Sequence, residues 1–181
     1  MTADRHGTRA DLTRSRRVGR RLALAALFEA EFGQRTAGTI LERHLAQTES
    51  DAEAASVARG IVQLVVANRD RIDARIEVIA PQYPVVQLAR MDRALLRCAV
   101  GEVLHSATPA RVAIAEWVEL ARIYSGDPMR RLVNGVLGKI AADPSGSRST
   151  APPSNSEESV SGQHLRSAEE ARRRTARRRR G

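Results

Sequence analysis

Apolar residues at steps of three and four run through most of this chain, and that spacing fits helices and little else. Val18, Leu22, Ala25, Phe28 and Phe32 keep the period, and so do Val57, Ile61, Leu64, Val65 and Ile72. Leu88, Met91, Leu95, Cys98 and Val103 repeat it, as do Leu132, Val133, Val136, Leu137 and Ile140. Side-chain bulk comes from Ala, Leu, Val and Ile. The only aromatics are Phe28, Phe32, Tyr83, Trp117 and Tyr124, which suits packed helices better than a β-sandwich.

The breaks fall at helix-stopping residues. A first helix is expected over 14–32 and a short one over 39–47, with Gly33 and Gly38 between them. Ser50 and Glu53 have capping-box spacing for a third over 53–73. Ile76 and Ile79 either extend it or form a separate turn before Pro81 and Pro84. A fourth helix is expected over 85–105. Thr108 supplies a hydroxyl cap and Pro109 opens a mostly apolar helix over 110–124, which should be nearly surrounded by others. A turn at Ser125-Gly126-Asp127-Pro128 precedes a last helix over 129–142. Residues 1–13 are polar and aperiodic, so a flexible start is expected. Residues 143–181 are rich in Pro, Ser, Gly, Arg and Glu, so a disordered tail is expected.

The net charge of +9 is concentrated at the ends. Residues 1–27 carry seven arginines against two acids, and residues 143–181 carry nine against five, while 28–142 are balanced at fourteen each. Such placement points to a polyanion, with nucleic acid first. Lys139 is the one lysine; arginine offers a planar fork for phosphate and can stack on bases. In the first helix Arg14, Arg17 and Arg21 form a stripe with Arg16 and Arg20 alongside. Cations early in a helix oppose its dipole, at about a few tenths of a kcal/mol each, so a ligand explains them better than helix stability does. Five phosphate contacts would give a log–log salt slope of about −3.5. Arg90, Arg93 and Arg97 read as a solvated stripe on the fourth helix.

Catalytic chemistry finds no support. Glu116 and Glu119 lie one turn apart, but His6, His44, His105 and His164 are scattered and no metal-ligand spacing or Gly-rich phosphate loop occurs. Ion pairing, such as Glu119 with Arg122, explains the acids. No cofactor or metal is expected. Cys98 has no partner for a disulfide and sits at a core position. No apolar run reaches membrane-spanning length and no signal peptide is recognisable, which fits a cytoplasmic protein without a membrane partner. Asn134-Gly135 lies within helical spacing, so Gly135 is expected at a close helix crossing and Asn134 as a buried, hydrogen-bonded side chain.

Three blocks carry a family resemblance. VAIAEWVELARIYSGDPMRRLVNGVLGKIA, residues 112–141, resembles the NusB pattern V-x-I-N-E-A-x-E-L-A-[KR] followed by F-V-N-G-V-L-D. MDRALLRCAVGEVL, residues 91–104, resembles [DE]-[RK]-A-[IV]-L-R-x-A-x-[YW]-E-L, and RRVGRRLALAALFE, residues 16–29, resembles R-R-x-A-R-x-x-A-x-Q-x-L-Y. Order and spacing are kept over about 14–142. The chain departs from the pattern at Gly19, Ala25, Phe28, Ala115, Met129 and Gly138; the last three remove polar groups around the final two helices.

The resemblance implies an all-α fold of about seven helices in two packed three-helix bundles. It implies a non-enzymatic transcription antitermination factor that binds boxA RNA of ribosomal RNA leaders with NusE, a small-subunit ribosomal protein, within an RNA polymerase antitermination complex. Arg14, Arg16, Arg17, Arg20 and Arg21 are then the RNA-contact candidates, and Asp92, Arg93 and Glu116 the partner contacts. Monomer and homodimer both stay open. Two alternatives remain: a NusB-like targeting domain related to ribosomal RNA methyltransferases, and a helical scaffold that binds only protein.

Overall fold

A computed structural model of the chain describes residues 3–48 and 50–143. Among them the elements are α1 (Ala3–Ala30), α2 (Ala37–Gln47), α3 (Ala52–Ile79), a 3₁₀ turn (Val85–Gln87), α4 (Arg90–His105) and α5 (Ala110–Ala142), with no strand. The expected tail over 143–181 lies, apart from Asp143, outside the described residues. No helix among them is long and apolar enough to cross a membrane.

Five α-helices replace the expected seven or so, because two breaks bend a helix without ending it. In α3, Asn68 leaves helical geometry (φ −120°, ψ 17°), and its side-chain amide donates to the Leu64 carbonyl at 2.9 Å. That bond stands in for part of the interrupted ladder, so the helix continues through Ile72 and Ile76, both buried. In α5 the break is Gly126 (φ 79°, ψ −172°), two residues before Pro128. The left-handed φ is one that glycine adopts without cost.

Several ends differ from expectation. The stretch 1–13, expected to be flexible, is helical from Ala3 onward; no proline interrupts it, and the Thr13 hydroxyl donates back to the Arg9 carbonyl. Asp51, not Ser50, caps α3, accepting from the Ala54 amide at 2.7 Å. The Ser15 hydroxyl donates to the same carboxylate, so the α3 cap also ties α1. Thr108 caps nothing; its own amide donates to Ser106 Oγ, and α5 starts directly after Pro109. Val85–Gln87 forms the separate 3₁₀ turn, and α4 begins only at Arg90.

α1 turns a different stripe inward from the one its apolar period suggests. Arg20, Ala23, Leu24 and Ala26 are buried, whereas Val18, Leu22, Ala25 and Phe28 are half-buried and Phe32 is 53 % exposed. The core stripe thus contains an arginine. Around it α1 packs on α2, α3 and α4, and α4 packs on α3 and α5. Trp117, Leu95, Leu96, Ile40, Leu41, Leu137 and Ile140 fill the centre.

Close crossings occur at Gly19 and Gly101, not at Gly135. Asn134 and Gly135 are both exposed, and a Cβ on Gly135 would meet nothing within 4 Å. Their helical register faces them away from the neighbouring Val133 and Val136, which are buried. At Gly19 a Cβ would lie 2.6 Å from the Ala54 carbonyl oxygen and 2.8 Å from Val57 Cβ. The obstruction is backbone and cannot rotate away. Gly19→Ala is therefore expected to push α1 off α3 and cost about 1–3 kcal/mol, read as a lower urea midpoint; an unchanged midpoint would show that the helices separate freely.

Candidate nucleic-acid interface

The five candidate arginines of α1 divide by burial. Arg14 and Arg21 are exposed, with no hydrogen-bond or ion-pair partner among the described residues. Arg16 and Arg17 are exposed but each is held from one side. Arg16 Nε donates to Glu53 Oε1 of α3 at 2.7 Å. Arg17 Nε donates to both oxygens of Glu116 in α5, at 3.0 and 2.9 Å. Arg17 and Arg21 also line a 370 Å³ cleft between α1 and α5, with Glu116, Glu119, Leu120 and Ile123.

Arg20 is no surface contact. Its side chain is 3 % exposed and Glu102 opposite it 2 %. Arg20 donates from Nε and Nη2 to the two Glu102 oxygens at 2.9 and 2.6 Å. Trp117 Nε1 donates to the same carboxylate at 2.6 Å. One buried acid on α4 thereby satisfies an arginine of α1 and an indole of α5, and it sets how α1 lies on the bundle. Four of the five candidates remain for an external anion.

The α4 stripe is not solvated either. Arg93 donates from Nε and Nη2 to Glu31 Oε2 at 2.9 and 2.6 Å. Arg97 donates from Nη1 to Glu31 Oε1 at 2.6 Å and forks onto Asp73 at 2.8 and 2.7 Å. Only Arg90 faces outward, its guanidinium 4.8 Å above the Phe32 ring, a cation–π distance. Of the partner-contact candidates, Asp92 is half-buried without an ion pair, while Arg93 and Glu116 are already engaged within the chain.

The arrangement has little to offer catalysis. Glu119 pairs with Arg122 at 2.6 Å, and the hydrogen bond from Arg122 holds its carboxyl below the usual range. Burial pushes the Cys98 thiol far up, so it stays protonated and inert. What α1 does present is exposed charge, with Arg14, Arg17 and Arg21 along one side and Arg16 on another, and a neutral bundle behind them.

The family model described as NusB matches residues 17–142. The chain belongs to the NusB family. The transcription antitermination protein NusB of Dehalococcoides mccartyi is 36 % identical over 131 residues, covering 72 % of this chain and 92 % of the relative. That of Symbiobacterium thermophilum is 38 % identical over 135 residues, covering 70 % and 88 %. Among solved structures, T. maritima NusB superposes with a TM-score of 0.65 at 32 % identity, over 71 % of this chain and 91 % of that one. A complex of the antitermination factors NusB and NusE with double-stranded RNA gives 0.62 at 25 % identity, over 71 % and 97 %.

Against the NusB pattern, the departures fall in different environments. Met129 replaces a serine and is buried in the core, while Ala115 and Gly138 are exposed. A polar side chain at either of those two sites would face outward here. Trp117 stands where the pattern has alanine, and its indole reaches Glu102. Sequence reasoning missed Glu102, Glu53, Glu31 and Asp73. Only Glu102 carried a signal, as the acid that matches the glutamate of the pattern's closing E-L, where this chain has Glu102 and Val103.

Proposed function

We propose that this chain is a transcription antitermination factor that binds boxA-type RNA of ribosomal RNA leaders together with NusE, and that α1 carries the RNA contact. One observation supports this above the others: Arg14, Arg16, Arg17 and Arg21 stand exposed on one helix of a chain whose family includes a factor solved with NusE and RNA. Arginine supplies both phosphate contacts and planes on which unstacked bases lie. Asp92, at the start of α4, is the residue left to meet a protein partner.

The same reading assigns RNA binding to a helical domain over 14–142 and leaves the Arg-rich stretch 143–181 either as an RNA-tethering arm or as a solubilising tail. It groups α1, α2 and the first part of α3 as one three-helix bundle, and the rest of α3 with α4 and α5 as the other. A factor that acts on nascent transcripts would work in the cytoplasm.

The test is a fluorescence-anisotropy titration of a boxA-type RNA with NusE present, repeated at several salt concentrations. Four phosphate contacts give a log–log slope of about −2.8. Replacing Arg14, Arg16, Arg17 and Arg21 with glutamine is expected to weaken binding by about a hundredfold or more at low salt and flatten the slope. Unchanged titrations would refute the RNA reading; binding to NusE alone would mark a protein-only scaffold.

A further inference from the structure

Arg16 and Arg17 are consecutive, so on α1 they point about 100° apart. One reaches Glu53 on α3 and the other Glu116 on α5, and both are held at Nε. Among the described residues neither gives its Nη nitrogens to any acceptor. The arginine side chains stay 55 % and 60 % exposed, while Glu53 and Glu116 are 34 % and 15 % exposed. The carboxylates thus lie inward and the guanidinium ends outward. Arg20 shows the opposite arrangement: it gives Nη2 as well as Nε to Glu102 and is buried.

Holding an arginine by Nε has two consequences. Four N–H groups remain for an incoming anion, and two of them lie on the outer edge that matches a phosphate. The long side chain has also lost rotamer freedom before the ligand arrives, so less is lost on binding.

We propose that Glu53 and Glu116 are positioning residues, holding Arg16 and Arg17 with their Nη edges outward in the orientation that takes RNA phosphates. This deepens the RNA-binding reading and rests on it.

Deleting either acid mixes two effects of opposite sign. Loss of orientation weakens RNA binding, and loss of a negative charge strengthens it. Variants of equal charge separate them. Gln keeps an oxygen that can accept the Nε–H bond; Met matches its length and accepts nothing useful.

The experiment titrates boxA-type RNA, with NusE, into the full chain carrying Glu53→Gln with Glu116→Gln, or Glu53→Met with Glu116→Met. At one fixed salt concentration the Gln pair is expected to bind at least about fivefold tighter than the Met pair. The gap is expected to vanish when Arg16→Ala and Arg17→Ala are added to both. Equal affinities for the Gln and Met pairs would overturn the proposal. So would a gap that survives removal of the arginines, since it would then act through the fold. Thermal melts check that each variant is folded; if the Met pair is not, Glu53→Gln against Glu53→Met makes the same comparison at the more exposed site. Failure of the parent reading looks different: the unaltered chain and the four-arginine variant would then bind RNA alike.

Discussion

Glu102→Ala is expected to destabilise the protein by roughly 3–5 kcal/mol, the largest loss from any single change considered for this chain. The size follows from what is left behind. Arg20 and Glu102 are 3 % and 2 % exposed, so the guanidinium cannot recover water once its carboxylate is gone. Trp117 Nε1 loses its acceptor in the same step. A buried charge without a counter-ion and a buried N–H without an acceptor both add to the cost. Replacing both charges is another matter: Arg20→Met with Glu102→Leu leaves no orphaned ion, only the Trp117 N–H without its acceptor, and is expected to cost about 1–3 kcal/mol. Urea unfolding at constant salt checks both. A loss under about 1 kcal/mol for Glu102→Ala would mean that water reaches Arg20 and that the buried triad does not hold α1. An Arg20 variant that loses RNA binding does so, on this account, by releasing α1; restoring the binding with the double replacement would demonstrate it.

That triad also marks where the sequence stops being legible. Helix existence was readable because apolar residues repeat locally, and the family was readable from the three motif blocks at 16–29, 91–104 and 112–141. Which face of α1 points inward was not. The stripe of Val18, Leu22, Ala25 and Phe28 looks like a core face because it is apolar, yet it is half-buried. The true core stripe holds Arg20, and an arginine reads as surface unless its partner is known. Glu102 is that partner, 82 positions away, and no local pattern joins the two. The same blindness affected Arg93 and Arg97, which look like a solvated stripe on α4 until Glu31 arrives from the turn after α1 and Asp73 from α3. Gly135 misled for a related reason. A glycine in a helix signals a close approach only if another helix lies on that side, and at Gly19 and Gly101 it does. The exposure of Arg14 and Arg21 was legible because a charged side chain without a partner in the chain stays in water.

Glu31→Ala is expected to cost roughly 2–3 kcal/mol, less than Glu102→Ala because one acid of the network survives. Glu31 lies just past α1 and receives both Arg93 and Arg97 of α4. Without it Arg97 keeps its fork onto Asp73, at 2.8 and 2.7 Å. Arg93 keeps only the Val86 and Leu88 carbonyls, at 3.2 and 3.3 Å, and its charge has no nearby opposite. Glu31→Gln, which keeps an acceptor, is expected to lose about half as much. A double-mutant cycle with Arg93→Ala isolates the pair, with a coupling of about 1 kcal/mol or more expected at side chains only 15 % and 16 % exposed. Additive losses would show that Glu31 acts through Arg97 alone. The network also fixes the start of α4 beside Asp92, the acid assigned to the protein partner. Glu31→Ala is therefore expected to weaken NusE binding more than RNA binding, whereas Glu102→Ala, which frees α1, does the reverse. Measured on folded protein below its unfolding midpoint, those opposite selectivities distinguish two anchored surfaces from one general loss of stability.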